Sequence, residues 1–321
     1  VAYAASGGIL AGVYTDVFQG ATMAVASVLV FLAVLDAGEG LASISRTILA
    51  ADAPFLSPWG HVSPLAALSF FFVFSLGTLG QPHVLHKFYM IRDPRRLKWY
   101  PLLATVALIL MTLLFFGVGI AVKALVVDGA MPPLANPDHA TPLFLLGHTP
   151  LLLAAVVFAG VAAAIMSTVD SFLNVGAAAV VHDLPVAFGR RPGDELRRGR
   201  IATVAIALAA ASTAQLSGTL VAFLGIFGWG LFASTLVPAL GVGLNWKGAT
   251  RAGAVASIAT GLGLTLLLET LAYLGAFTFP DGVTVSGASL VASILVFFAV
   301  SAMTRRRAEP LDADVHAVME A

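Results

Sequence analysis

Residues 163 to 171 read Ala-Ala-Ile-Met-Ser-Thr-Val-Asp-Ser and lie deep inside an apolar run from about Pro150 to Val181. The run is long enough to cross a bilayer. In hydrocarbon a polar group without a partner costs several kcal/mol, about 2.5–3.5 kcal/mol for an Asp at mid-helix on insertion scales. The cluster therefore predicts a ligand or an interhelical partner. On a helix Ala164, Ser167, Thr168 and Ser171 follow the i, i+3, i+4, i+7 rule and share one face. Two adjacent hydroxyls then stand above a carbonyl with no bulky side chain over it. This is a cradle of neutral oxygens, suited to a small hard cation such as sodium. Asp170 projects about 110° away from that face at 100° per residue, with Asn174 one turn on. It reads either as a buried hydrogen-bonding residue or as a station on an ion path.

A second polar constellation falls within residues 64–90, whose middle reads Phe74-Ser75-Leu76-Gly77-Thr78-Leu79-Gly80-Gln81-Pro82-His83. Two glycines weaken a helix there, and the proline removes a backbone donor and clashes one turn back. The segment is expected to be kinked or broken. At membrane depth, freed carbonyls and amides are tolerated where they face a cavity or bind something, and broken helices mark solute sites in secondary transporters. A simple proline kink without a ligand is the alternative. Asp16, one turn into the first span, also has two readings: a station on an ion's path, or a carboxylate favoured by the helix dipole.

Composition explains why these polar residues are conspicuous. Charged residues make up 11% of the chain against roughly 25% in a soluble domain, apolar residues 59%, and the mean hydropathy is +0.95. The chain is expected to be an all-α polytopic membrane protein. A formal net charge of zero gives no sign of a nucleic-acid partner, and the absence of cysteine removes disulfide, thiolate-metal and cysteine-nucleophile chemistry. With no His-Glu-x-x-His, no Gly-x-Ser-x-Gly and no carboxylate pair poised for acid–base work, an enzyme is not expected, and neither is a cofactor. The chain opens on Val1, and its first seven residues resemble the tail of an earlier helix. This suggests the C-terminal part of a longer protein.

About 8 transmembrane helices are predicted, near 10–35, 64–90, 101–126, 150–181, 200–217, 219–241, 252–274 and 286–303. Basic residues mark alternate connections: Arg92, Arg95, Arg96 and Lys98, then Arg190 to Arg200, then Lys247 and Arg251, then Arg305 to Arg307. Those connections are expected to be cytoplasmic. The opposite connections hold only Arg46, and the one at 128–148 is expected to carry a short surface helix near 138–147. The localisation implied is the cell (cytoplasmic) membrane, crossed many times, with the lipid bilayer as partner.

Four motifs carry a resemblance. They are Thr15-Asp16-Val17-Phe18-Gln19-Gly20 preceded by Gly7-Gly8-Ile9 and Tyr14, Gly80-Gln81-Pro82-His83 followed by Phe88, Ala164 to Ser171 with His182-Asp183-Leu184, and Trp246-Lys247-Gly248-Ala249-Thr250 with Ala252 and Gly253. In this order and spacing they resemble successive signatures of the sodium:solute symporter family. The resemblance implies a leucine-transporter-like inverted-repeat fold, present in part. Residues 1–241 would be the transporter core, holding the last helix of the first repeat and the complete second repeat. Residues 242–303 would be two peripheral transmembrane helices and 304–321 a cytoplasmic tail. The missing N-terminal helices of the same protein would be needed for a complete site.

The resemblance also implies residue roles. Sodium would be held by Ala164, Ser167 and Thr168, with a partner helix that is not in this sequence. Solute contacts would come from Phe74, Thr78 and Pro82, where proline-type members carry tryptophan, tyrosine and proline. Thr78 departs from that pattern, which puts proline specificity in doubt. Asp16 and Asp170 would be candidates for the ion path. Among the aromatics of the sixth span, Phe223, Phe227, Trp229 and Phe232, the fold implies an external lid, with plain packing as the alternative. The function implied is sodium-coupled symport of a small organic solute by alternating access. A sensor module of the same fold, and a proton-coupled or uncoupled carrier, stand as alternatives.

Overall fold

The computed structural model describes residues 2–191, 193–217, 221–280 and 282–307, with side chains over 12–191, 193–215, 224–280 and 282–306. Most of the expected tail at 304–321, and the side chain of Phe223, lie outside the described residues. The helices in chain order are α1 (Ala2–Ala37), α2 (Leu41–Ala51), α3 (Pro64–Gly77), α4 (Pro82–Tyr89), α5 (Tyr100–Val127), α6 (Ala140–His148), α7 (Leu151–Ala178), α8 (Leu184–Ala187), α9 (Glu195–Ser217), α10 (Val221–Leu236), α11 (Arg251–Tyr273) and α12 (Val285–Thr304). Seven helical stretches among the described residues are long and apolar enough to cross a membrane. The expected span at 200–217 is helical as α9, which is not one of those seven. α1 runs unbroken from Ala2, so no turn separates the first seven residues from the first span.

Two compact units divide the chain. The first comprises Val1–Pro58 and Met90–Gly218, the second Trp59–Tyr89 and Thr219–Ala321.

In the first unit α1 packs along both α5 and α7. Val30 and Val34 of α1, Ile44 and Ile48 of α2, Ala121 of α5, Phe144 and Leu145 of α6 and Val157 of α7 are all fully buried in one core. Close approach of α1 to α7 depends on a missing side chain: a Cβ on Gly160 would meet the methyl of Ala26 at 2.9 Å. The loop expected to hold a surface helix does so. Asn136 Oδ1 accepts the amide of Asp138 at 2.9 Å, opening a short 3₁₀ turn that runs into α6. Lys123, near the end of α5, is neutralised by Asp52 at 2.8 Å and lies over the ring of Phe55.

The second unit is held together by small and hydroxylated residues. Ser257, Ser289, Ser293 and Ser301 are fully buried among α10, α11 and α12. Ser234 Oγ meets Thr265 Oγ1 at 2.9 Å, and Thr250 Oγ1 meets Thr304 Oγ1 at 2.8 Å. Without a hydrophobic drive between helices in lipid, such close contacts and hydrogen bonds are what hold them together. Side-chain oxygens also cap the helix starts: Ser63 for α3, Thr250 for α11 and Thr284 for α12 each accept an amide three residues on.

Gly261 lies against the backbone of Ser234, whereas a Cβ on Gly263 would meet nothing within 4 Å. Gly261→Leu is expected to cost about 1–3 kcal/mol by overpacking and to lower the thermal midpoint of the detergent-purified protein by several degrees. Gly263→Ala should leave it unchanged. Equal midpoints for the two variants would refute the close α10–α11 packing.

Candidate ion site and helix break

The hydroxyl-rich face of α7 forms as its spacing requires. Thr168 Oγ1 donates to Ala164 O at 3.2 Å, and Ser171 Oγ donates to Ser167 O at 3.0 Å. Each hydroxyl hydrogen is thus committed to a carbonyl one turn back, leaving the hydroxyl oxygens as acceptors. Ser167 Oγ donates instead to Asp16 Oδ1 on α1. Two candidate residues from the sequence therefore meet, Asp16 of α1 and Ser167 of α7, while Ala164 and Thr168 are bonded to each other within α7. The atoms in contact there are hard oxygens, one of them a carboxylate oxygen.

Asp170 faces another direction and is 4% exposed. Its Oδ1 accepts Asn174 Nδ2 at 3.1 Å, and the same Nδ2 donates to Asp170 O at 3.0 Å. Its other oxygen, Oδ2, lies directly on Gly12 of α1, where any Cβ would collide with it. α1 and α7 are consequently tied twice by carboxylates, once at Asp16 and once at Asp170. Among the described residues no group of three or more His, Cys, Asp or Glu side chains is arranged to hold a metal ion.

In the second unit the predicted break is real. α3 ends at Gly77, residues Thr78–Gly80 form a 3₁₀ turn, and Gln81 is extended at φ −79°, ψ 109° before α4 starts at Pro82. The extended residue is the one before proline, as the clash with the proline ring demands. Thr78 Oγ1 donates to Phe74 O at 3.0 Å, and the half-exposed Phe74 ring packs 5.7 Å from Trp229 of α10. Phe74, Thr78 and Pro82 thus share the break. Trp229, one of four aromatics with lid or packing readings, touches both Phe74 and His83.

Two features of these sites escaped sequence reasoning. Gln81 is completely buried, and its Nε2 donates to Gly77 O at 3.1 Å and to Trp229 O at 3.2 Å. A lone Gln in an apolar span was the available signal, though its partner is 148 residues away. The direct contact of Asp16 with Ser167, across 151 residues, was likewise invisible.

The sodium:solute symporter family model matches residues 1–261. The chain belongs to the sodium:solute symporter family. The osmoregulated proline transporter OpuE of Bacillus subtilis is 30% identical over 286 residues, covering 83% of this chain and 54% of that protein. The sodium/pantothenate symporter of Escherichia coli is 27% identical over 285 residues, covering 85% of this chain and 57% of that protein. A solved structure of a Na+-coupled sialic acid symporter, in a substrate-bound outward-open state, superposes with a TM-score of 0.73 over 97% of this chain and 66% of that one, at 18% identity. This likeness shows the leucine-transporter-like fold. This member of the sodium:solute symporter family is a multi-pass cell-membrane protein whose relatives are transporters. It spans 54–66% of the length of the proteins named here.

The contact between Asp170 and Gly12 makes a direct test of the α1–α7 interface. Gly12→Ala alone is expected to destabilise by about 1–3 kcal/mol, and Asp170→Ala alone by a similar amount through loss of its hydrogen bonds. In combination the shorter side chain makes room for the new methyl, so the double variant should lose less than the sum. Thermal denaturation of the four proteins measures this, and strictly additive losses would mean that the two residues do not share the space.

Proposed function

We propose that this chain forms the larger part of a sodium-coupled symporter that carries a small organic solute across the cell membrane by alternating access. The observation that supports this most is the hydrogen bond from Ser167 to Asp16. It sets a carboxylate beside a face of neutral oxygens midway along an apolar helix. Such an arrangement offers a cation partial charge compensation without a full anionic cage, so the ion is bound loosely enough to leave.

In this scheme Ala164 O, Ser167 Oγ and Thr168 Oγ1 hold the sodium ion, and helices preceding Val1 in the complete protein supply the remaining ligands. Asp16 lies next along the path and accepts the ion as it departs. Asp170, already bonded to Asn174, holds α7 in register with α1 as the ion passes. The solute meets the break at Phe74, Thr78 and Pro82, with the Phe74 ring as its apolar platform. Residues 1–241 act as the transporter core and 242–303 as additional membrane helices, and the basic connections face the cytoplasm. Na+ is the only accessory species that transport needs, and no bond in the solute is made or broken.

Coupling is thermodynamic. A potential of about 100 mV gives about 2.3 kcal/mol per charge, and a tenfold sodium gradient about 1.4 kcal/mol. One sodium ion per cycle could then support a several-hundred-fold accumulation of a neutral solute.

Ser167→Ala and Thr168→Ala, made in the complete protein and reconstituted in proteoliposomes, are each expected to raise the sodium concentration for half-maximal uptake by about tenfold, as loss of one oxygen ligand implies. Labelled L-proline and labelled pantothenate are the first solutes to try, given the named relatives. Sodium dependence that is unchanged in both variants would refute this site.

A further inference from the structure

Sodium coupling as described uses neither the Gln81 amide nor the indole nitrogen of Trp229, yet both sit at the break. In a continuous helix Gly77 O would accept the backbone N–H of Gln81, four residues on. Here that N–H turns to Thr78 O at 3.3 Å, and the side-chain Nε2 of the same residue takes its place on Gly77 O at 3.1 Å. The second hydrogen of Nε2 reaches Trp229 O at 3.2 Å. Gln81 therefore repairs the interrupted ladder with its own side chain and fastens it to α10.

Both donors of the amide are used, and its acceptor is not. Gln81 Oε1 is buried with no hydrogen-bond partner among the described residues, and so is Trp229 Nε1. The two groups flank one residue. Gly77 O holds Gln81, and the indole edge lies so close over Gly77 that a Cβ there would meet Nε1 at 2.7 Å. An orphaned acceptor or donor is costly when buried. One buried residue thus offers an unused acceptor and the other an unused donor, both residues being in contact with Gly77.

We infer that Gln81 Oε1 and Trp229 Nε1 determine solute specificity, the first accepting an N–H of the solute and the second donating to its carboxylate or carbonyl oxygen. Gln81 Nε2 is the clasp that keeps the pair in register. This inference rests on the solute reading of the break given above and narrows it to a class: small molecules with an amine or amide N–H and a carboxylate, whose apolar part lies on Phe74. A site built to hydrogen-bond both groups rejects analogues lacking one, because the buried partner is then left unpaired.

The test uses the complete protein in proteoliposomes with labelled L-proline and labelled pantothenate, each of which carries an N–H and a carboxylate. Acetate, which has only the carboxylate, serves as competitor. Trp229→Phe removes the indole N–H and keeps a ring against Phe74. It should raise the solute KM about tenfold while turnover and half-saturating sodium stay within about twofold. Gln81→Met, of similar volume but without the amide, should raise the KM and also lower turnover, because the clasp is lost with the acceptor. Acetate should not compete. A Trp229→Phe protein with the wild-type KM overturns the inference, even where Gln81→Met fails to fold. Effective competition by acetate, or uptake of neither labelled solute, overturns it as well. Sodium dependence of wild-type uptake is a separate readout: uptake that ignores sodium would defeat the coupling proposed above and leave the KM comparison to decide this one.

Discussion

A polar group at the depth of an apolar helix has no water to fall back on, and the contact of Ser167 with Asp16 is where this constraint bears hardest. The hydroxyl gives the carboxylate a donor. The carboxylate fixes the direction in which the hydroxyl's lone pairs point. Through that single bond a side chain of α1 and the polar face of α7 become one surface, and the tight fit of Gly160 on Ala26 lets the helices come close enough to make it. The second tie, Asp170 lying on Gly12, uses the same device of a missing side chain beside a carboxylate.

The break in the second unit answers the same constraint differently. Pro82 and the glycines interrupt the backbone ladder, and the loss is met mainly from within the segment: a 3₁₀ turn at Thr78–Gly80, the Thr78 hydroxyl on Phe74 O, and the Gln81 amide on Gly77 O. Glutamine suits this position because its amide nitrogen carries two hydrogens, one for the broken segment and one for the neighbouring helix.

Much of this was legible in the sequence, for identifiable reasons. Helix positions follow from unbroken apolar runs, and the ends of α5, α11 and α12 fall within a residue or two of expectation. The break followed from proline chemistry, which acts locally, and the shared face of Ala164, Ser167, Thr168 and Ser171 followed from helical periodicity. What stayed hidden was non-local. Gln81 with Trp229, Asp16 with Ser167, and Asp170 with Gly12 are pairings between distant segments that no periodicity specifies. The buried serines of α12 looked like ordinary small residues, and only contact with α10 and α11 reveals them as the packing surface.

The division of the chain into units has a consequence for biosynthesis. α3 and α4 leave the ribosome before their packing partners α10 to α12, with five other helices made in between. At about 5–20 residues per second, about six to twenty-six seconds separate the two halves of that unit. Throughout this interval the interrupted helix, with Gln81 and its carbonyls, must be sheltered by the insertion machinery or by the part of the protein already made. Deletions that shorten α11 or α12 would prolong that exposure indefinitely, so quality control in the membrane would read those late helices through a segment synthesised long before them.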